Sequence, residues 1–262
     1  MEYSAEHPIT PARALMIVTD ERNPRATALR DALAPMLGPL QGDLVIVIGG
    51  DGFLLQTVHT YGTDKTYLGL NAGTLGFLLN DAEDLDKVTA SINDRRLQAW
   101  DFPMLAGVAH TTDGQHLPLR AVNDIYLERS TGQTARLELA LEDHVVVDAL
   151  VSDGMIFSTA LGSTGYAFSA GATVCHPTLS TFTVTPICPH RPRLPPITLP
   201  SGSTARVTVH APERRPVRAV ADGRQVAEVV SVEVAMADER LSMAYFEDHD
   251  FTARMIALLL RS

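Results

Sequence analysis

The sequence predicts an α/β N-terminal domain with a parallel, Rossmann-like sheet, and after it a larger all-β, sandwich-like domain. Apolar strand-like runs alternate with helical periodicity through the first hundred residues, which favours a parallel sheet. From Trp100 onward, short alternating segments separated by turn signals replace that pattern. The apolar tail at 250–260 is typical of a helix that returns to the first domain. We therefore expect domains at 1–99 and 100–247, with a C-terminal helix at 248–262.

The N-terminal elements follow from periodicity and capping. Asn23 can cap a helix that has Pro24 at its first position, and the β-branched run before Gly49 suits a strand buried on both faces. The sequence pattern predicts strands at 15–19, 44–48 and 67–70. It predicts helices after Pro24, at 51–61 and at 83–97.

The second domain reads as strands joined by turns such as Asp113-Gly114, Glu142-Asp143 and Asp222-Gly223. The proline-rich stretch 186–200 is predicted to be a loop, because proline removes ladder donors. The predicted strands lie at 104–110, 119–127, 136–141, 145–150, 155–158, 182–187, 205–210 and 229–235.

Composition narrows the class of protein. The 262 residues include 21 Lys and Arg against 31 Asp and Glu, which argues against nucleic-acid or membrane binding through a basic surface. No run approaches the roughly 20 apolar residues of a membrane span, and segment 1–13 does not resemble a secretory signal. We expect a cytoplasmic protein. Cys175 and Cys188 have no metal-ligand spacing, so no protein metal site is predicted.

The turn Gly49-Gly50-Asp51-Gly52 lies between a buried strand and a helix. Glycine amides at the start of a helix can bind phosphate, whereas the alternative is a tight turn with a capping aspartate. Neither a Walker motif nor a dinucleotide-binding G-x-G-x-x-G follows a strand, so those two classes are not supported.

Two further groups of polar residues could bind a ligand. The segment 152–171 is rich in hydroxyls and glycines, and its Tyr166 could cover the face of a base, although an isolated loop of this kind is more often structural. Asn123-Asp124 interrupts an apolar strand, so a ligand or a local turn must supply its partners.

Together these motifs resemble the NAD kinase family. The matching features are the glycine turn at 49–52, G-x-N-x-G-x-L-G-F-L at 69–78, the Asn-Asp pair, the loop 153–171, the His176 to His190 region and Asp222-Gly223. The resemblance implies transfer of the terminal phosphoryl group of ATP, or of inorganic polyphosphate, to the 2′-hydroxyl of the adenosine ribose of NAD. It also implies Mg²⁺ as a cofactor and a homo-oligomer, either a dimer or a tetramer.

The resemblance also assigns roles to residues. Asp51 matches the family's proton acceptor, and Gly52 lines the same pocket. The remaining residues implied to bind the nucleotide are Asn123, Asp124, Arg136, Asp153, Thr164, Gly165, Tyr166, Ala167, Phe168 and Ser169.

Several positions depart from the family's usual pattern. Phe53 replaces a common Thr, Leu161 stands where a Thr is usual, and Asp124 replaces the more frequent Glu. These changes leave open a second interpretation, in which the protein is a sensor that binds NAD or NADP without catalysis. A pure sensor, however, has no need of a proton acceptor such as Asp51. A kinase acting on a lipid or sphingoid alcohol shares the glycine turn, but the polar loop disfavours it.

Overall fold

The computed structural model describes residues 16–38, 44–73 and 76–260. Predictions for segment 1–13, for Leu15, for Thr74 and Leu75 of the 69–78 motif and for residues 261–262 lie outside the described residues. The strands are β1 Met16–Thr19, β2 Leu44–Gly49, β3 Thr66–Asn71, β4 Leu97–Thr111, β5 His116–Ala121, β6 Asp124–Arg129, β7 Ala135–Leu141, β8 His144–Ser152, β9 Gly154–Thr159, β10 Thr181–Ile187, β11 Ile197–Pro200, β12 Thr204–Val209, β13 Val217–Ala221, β14 Arg224–Val226 and β15 Val229–Phe246. The helices are α1 Pro24–Leu33, α2 Asp51–Tyr61, α3 Leu85–Asn93, α4 Tyr166–Ser169 and α5 Phe251–Leu259.

The chain forms two compact units. The first comprises Met1–Phe102 and Arg240–Ser262, and the second comprises Pro103–Glu239. The chain passes between the units within β4 and again within β15. The return to the first unit therefore begins inside a strand at residue 240, ahead of the C-terminal helix that the sequence suggested as the boundary.

The first unit is an α/β domain, as predicted. β1, β2 and β3 pair in parallel, and the C-terminal part of β15 joins β3 in parallel through Ser242 and Met243. All six residues of β2 are buried, which explains its unbroken apolar sequence. Asn23 caps α1 by accepting a hydrogen bond from the amide of Arg25, as its sequence position indicated.

Helix α3 is shorter than predicted. It ends at Asn93, whereas the sequence suggested a helix to Leu97. Arg95 has a φ of 58°, a left-handed conformation that ends the helix, and Leu97 is already the first residue of β4. Leu97 is buried, so its apolar character reflects a strand in the core rather than a further helical turn.

Helix α5 packs within the first unit, as expected for the tail. Asp250 caps it by accepting a hydrogen bond from the amide of Ala253 at 3.0 Å. The Phe251 ring lies edge-on to Trp100, Phe102 and Tyr245, with centroid distances of 5.5, 5.8 and 4.9 Å. These aromatic contacts, formed in the first turn, fix the helix on its domain.

The second unit is a β-sandwich, as predicted. One six-stranded sheet has the order β11-β10-β9-β6-β13-β14. A second sheet contains β8, β7, β12 and the N-terminal part of β15 in antiparallel pairing. Buried side chains from both sheets, including Phe157 and Phe182 from the first and Leu139 and Val207 from the second, form one core.

Two strand predictions in this unit are corrected. The strand expected at 119–127 is broken into β5 and β6 by Val122 and Asn123. The proline-rich stretch 186–200 is not entirely a loop, because Pro186 lies in β10 and β11 forms an edge strand. β11 pairs only with residues 181–184, so β10 is itself an edge at Pro186, where proline is tolerated.

The turn predicted at Asp222-Gly223 is confirmed as the connection of the β13–β14 hairpin, in which Ala221 pairs with Arg224. Both turn residues have positive φ, 44° and 85°, which is the requirement of a two-residue loop of type I′. Within the ranges that the structure describes, no helix is long and apolar enough to cross a membrane.

Candidate active site

The glycine turn ends β2 and starts α2 at Asp51. Gly50 is the N-cap residue of α2, and no side chain caps this helix. The Asp51 carboxylate instead accepts hydrogen bonds from the amides of Phe77 at 2.9 Å and Leu78 at 3.2 Å. The alternative of a helix-capping aspartate is therefore wrong, because Asp51 binds a second turn, 26 and 27 residues further along the chain.

The glycines of this turn differ in what requires them. A Cβ at Gly49 would lie 2.8 Å from the Phe53 ring, so internal packing excludes a side chain there. At Gly50 and Gly52 a Cβ would meet no described atom within 4 Å, and neither has a positive φ. The fold does not require glycine at these two positions, and their bare backbone leaves the first amides of α2 accessible to an anionic ligand.

The Asp51 carboxyl is partly buried, and this burial raises its pKa. The two amide hydrogen bonds and then the positive charge of Arg254 act in the opposite direction, so they limit the increase. Arg254 donates a hydrogen bond to the carbonyl of Gly76 at 2.7 Å and pairs with Asp81 at 2.9 Å. Asp51 is thus a fixed carboxylate with an increased proton affinity, which suits a general base.

A cavity of about 470 Å³ lies in the first unit beside the turn that holds Asp51. Its walls include Gly76 and Phe77 of that turn, Arg25 of α1 and Arg254 of α5. Asp81 and Glu83 also line it, so the cavity has charged side chains of both signs in its wall.

In the second unit, the Asn123-Asp124 segment is held by Asp222. The Asp222 carboxylate accepts hydrogen bonds from the amides of Val122, Asn123 and Asp124 at 2.6, 3.0 and 3.3 Å. A Cβ at Gly162 would lie 2.2 Å from the Asn123 carbonyl oxygen, so the hydroxyl-rich loop packs tightly against this segment. These bonds replace strand pairing and produce the break between β5 and β6.

Polar side-chain atoms of this segment lack hydrogen-bond partners among the described residues. Asp124 is 8% exposed, and its carboxyl makes no hydrogen bond to any described residue. Burial, followed by the negative charge of Asp222, raises the Asp124 pKa to about 7. Among the described residues, Asn123 Oδ1 and the hydroxyl of Ser158, which lies opposite Asp124 in the β6–β9 register, also lack a partner. Buried polar groups of this kind are normally satisfied, so they mark a place for a polar ligand.

Asp153 follows β8 and forms an ion pair with Arg129 at 2.7 Å. The sequence suggested Asp153 as a nucleotide-binding residue but did not single out Arg129. The ion pair fixes the carboxylate while leaving 29% of the Asp153 side chain exposed. Its free oxygen lone pairs can therefore still accept hydrogen bonds from a ligand.

The hydroxyl-rich loop contains a 3₁₀ turn at Leu161–Thr164, followed by α4. Ser163 stabilises it by accepting a hydrogen bond from the amide of Cys175 at 2.9 Å. Tyr166 is 37% exposed, and its ring lies edge-on to Tyr126 at 5.1 Å. The Tyr166 ring is therefore supported by Tyr126 while much of its surface remains accessible.

The other predicted residues of this loop divide by exposure. Ala167 is fully buried in a small core cluster, so its side chain serves packing. Thr164 and Phe168 are half-buried, and Gly165 and Ser169 are exposed.

Arg136 lies apart from this group. It is exposed on β7, opposite Val151 of β8, in the other sheet of the sandwich from Asn123 and Asp124. Among the described residues, its side chain forms no hydrogen bond or ion pair with the other predicted residues of the unit. His176 interacts with Thr178, and no described group of three or more His, Cys, Asp and Glu side chains could hold a metal ion.

Three residues that hold the predicted ones were not identified from sequence. Asp222 was recognised as part of a turn and of a feature that matches the family but was given no role, and Arg129 and Arg254 belong to no motif that was recognised. Arg254 is 178 residues from Gly76, and Asp222 is about 100 residues from the amides it binds. Local patterns do not reveal contacts over such separations.

Comparison with known proteins shows which family the chain resembles. A family model for the ATP-NAD kinase C-terminal domain matches residues 122–242. The NAD kinase of Zymomonas mobilis subsp. mobilis is 34% identical over 201 residues, which cover 75% of this chain and 76% of that protein.

Two solved structures share the fold. Yeast NADH kinase complexed with NADH has a TM-score of 0.81 at 19% identity, covering 99% of this chain and 94% of that one. An NAD kinase from Archaeoglobus fulgidus in complex with ATP has a TM-score of 0.75 at 21% identity, covering 95% and 99%. The chain belongs to the NAD kinase family.

Proposed function

We propose that this member of the NAD kinase family transfers the terminal phosphoryl group of ATP to the 2′-hydroxyl of the adenosine ribose of NAD. The products are NADP and ADP, and inorganic polyphosphate is the alternative donor. Asp51 is the observation that carries the proposal, because its carboxylate is partly buried, held by two amides and raised in pKa.

In this proposal the first unit supplies the chemistry. Asp51 orients the 2′-hydroxyl and accepts its proton as the ribose oxygen bonds to phosphorus. The bond from the terminal phosphorus to the bridging oxygen breaks, and ADP leaves with those electrons. Amides around Gly50 and Gly52 bind the donor phosphates. We assign Mg²⁺ to the donor, as Mg-ATP, where it neutralises phosphate charge, and we assign it no protein ligand.

The second unit binds the nucleotide. Asn123 Oδ1, which has no hydrogen-bond partner in the described part of the chain, and the Asp124 carboxyl contact polar groups of NAD. Asp153 accepts a further hydrogen bond. Tyr166 covers a face of the base, and Thr164, Gly165, Phe168 and Ser169 line the same surface. Ala167 contributes through its backbone, since its side chain is buried. Arg136 adds positive charge from the exposed side of β7.

A non-catalytic sensor is the second candidate, since Phe53 and Leu161 replace hydroxyl residues that are common in the family. Leu161 is 2% exposed and Phe53 packs on Gly49, so in this chain both positions serve packing. The relatives that this chain matches are named NAD kinases, which favours the enzyme over the sensor.

We further propose that the protein is a cytoplasmic homo-oligomer, a dimer or a tetramer, that acts in NADP biosynthesis. Its partners are small-molecule nucleotides and include neither nucleic acid nor membrane, which fits its net charge of −10. Light scattering of the purified protein measures the oligomeric state directly.

One assay tests the activity. Purified protein is mixed with NAD, Mg²⁺ and either ATP or polyphosphate, and NADP is measured with a coupled NADP-dependent dehydrogenase. We expect NADP with ATP, and the polyphosphate arm decides donor preference. NAD binding by calorimetry without NADP from either donor would favour the sensor.

A further inference from the structure

We propose that Arg254, on the C-terminal helix α5, is a positioning residue for Asp51. It fixes the turn whose amides bind the Asp51 carboxylate, and it supplies a positive charge that favours the ionised carboxylate. This inference rests on the proposed role of Asp51 as proton acceptor. Arg254 itself touches no reacting atom in the proposal.

The geometry links the two residues through one short turn. Arg254 donates a hydrogen bond from Nη1 to the carbonyl of Gly76 at 2.7 Å. The amides of the next two residues, Phe77 and Leu78, donate to the Asp51 carboxylate. Among the described residues, Arg254 is the donor to the carbonyl of buried Gly76, so losing it would free the turn.

The other end of this turn is anchored separately. The Asn80 side chain donates to the carbonyls of Gly69 and Ala244, both at 3.1 Å, and accepts from the amide of Phe246 at 3.1 Å. Asn80 therefore secures the turn at its exit, whereas Arg254 secures it immediately before the two amides that hold Asp51.

The charges around Asp51 give Arg254 its second effect. Fully buried Tyr245 faces Asp51, and burial raises the Tyr245 pKa, so this side chain is neutral. His249 packs on Tyr245, and burial followed by the charge of Arg254 lowers the His249 pKa to about 4, so it too is neutral near pH 7. Asp81, the ion-pair partner of Arg254, is largely exposed to solvent and well screened. Arg254 is thus the group whose positive charge lowers the Asp51 pKa.

Docking of α5 does not require Arg254. The helix is held by the Phe251 ring contacts and capped by Asp250, both in its first turn. Variants at Arg254 should therefore fold, which thermal unfolding would verify.

Three substitutions separate the two effects. Arg254→Met removes both the hydrogen bond and the positive charge. Arg254→Gln keeps a hydrogen-bond donor but has no charge, and Arg254→Lys keeps the positive charge. Arg22→Met is the matched control, because Arg22 is an exposed arginine of the same unit that pairs with Asp20. The measurement is the pH profile of kcat/KM for NAD, whose acidic limb reports ionisation of the base.

We expect the acidic limb of Arg254→Met and Arg254→Gln to move to higher pH by about half a unit to one unit. The acidic limb of the Arg254→Lys profile should stay near that of the unchanged protein. The whole profile of Arg22→Met should match that of the unchanged protein. For Arg254→Met, kcat should also fall about tenfold on the alkaline plateau, where Asp51 is ionised in all variants, because the turn is no longer fixed. A uniform loss of kcat with an unmoved limb in both uncharged variants would overturn the inference.

A second readout does not depend on activity. The carboxyl ¹³C resonance of Asp51, assigned from its absence in Asp51→Asn, titrates with the Asp51 pKa. That pKa should rise in Arg254→Met and Arg254→Gln, and an unchanged pKa would also overturn the inference. If the unchanged protein makes no NADP, the proposed function fails, while this titration still decides the role of Arg254.

Discussion

Asp51 in the first unit and Asp124 in the second are both carboxyl groups removed from water, yet their surroundings differ. Asp51 accepts two amide hydrogen bonds and lies in the positive field of Arg254. Asp124 has no donor among the described residues and has the negative charge of Asp222 nearby. Burial raises the pKa of both carboxyls, but the two amides and Arg254 limit the increase for Asp51, whereas the charge of Asp222 adds to it for Asp124.

This difference matches two separate tasks. A proton acceptor must be ionised before the reaction, and fixed donors limit the cost of burying its charge. A carboxyl that is half protonated near pH 7 can donate or accept a hydrogen bond, so it suits recognition of a polar ligand group. We expect substitutions in the first unit to change mainly kcat, and those in the second unit to change mainly binding.

The largest effect is expected for Asp51→Asn. The amide can still accept a hydrogen bond but cannot take the proton, so kcat should fall about a thousandfold with little change in the Kd for NAD. Steady-state kinetics and calorimetry provide the two values. Asp31→Asn is the control, because Asp31 is an exposed aspartate of the same unit. A kcat within a few-fold of the unchanged protein would remove Asp51 from the base role.

The second prediction concerns Asp124 and pH. Its folded-state pKa is raised from 3.8 to about 7, so between these values the folded protein binds more protons than the unfolded chain. Stability from this group is complete below pH 3.8 and is lost as the pH rises through about 7, by up to about 4 kcal/mol. Asp124→Asn should therefore unfold at higher denaturant concentration than the unchanged protein above pH 7, and the two should converge in acid.

Asp222→Asn sharpens this test. It removes the negative charge beside Asp124 and keeps one side-chain oxygen, which can still accept from the amides of Asn123 and Asp124, whereas the hydrogen bond from the Val122 amide to the second oxygen is lost. The variant should therefore be less stable at every pH, but the pH-dependent loss of stability should shrink and move to lower pH. A pH dependence that is the same in both variants as in the unchanged protein would show that the Asp124 pKa is not raised in this way, and the contrast between the units would disappear.

The main strands and helices of the fold could be predicted from the sequence. The unbroken apolar run of β2, the glycine turn and the helix beginning at Asp51 were predicted correctly, because each depends on neighbouring residues. α3 was predicted too long because an apolar Leu97 continues the helical spacing although it belongs to a strand. β11 was missed because it is a short edge strand that follows Pro195 and Pro196 and ends at Pro200, within a stretch that its prolines make resemble a loop.

Less of the candidate site could be predicted from the sequence. Motifs identified Asp51, Asn123 and Asp124, whose roles remain predictions, but not what holds them. The break at Asn123 depends on a carboxylate about 100 residues away, and the Asp51 environment depends on α5. Contacts of this kind arise from topology, so they leave no periodic or motif signal.

The smallest effect is expected for Tyr166→Ala in the second unit. The ring is 37% exposed and supported edge-on by Tyr126, so its loss removes a stacking surface without opening the core. The Kd for NAD should rise about tenfold while kcat at saturating NAD changes little. Tyr166→Phe keeps the ring and should bind nearly normally. If Tyr166→Ala instead lowered kcat at an unchanged Kd, the second unit would take part in the chemistry, and the division of tasks between the two carboxyl environments would fail.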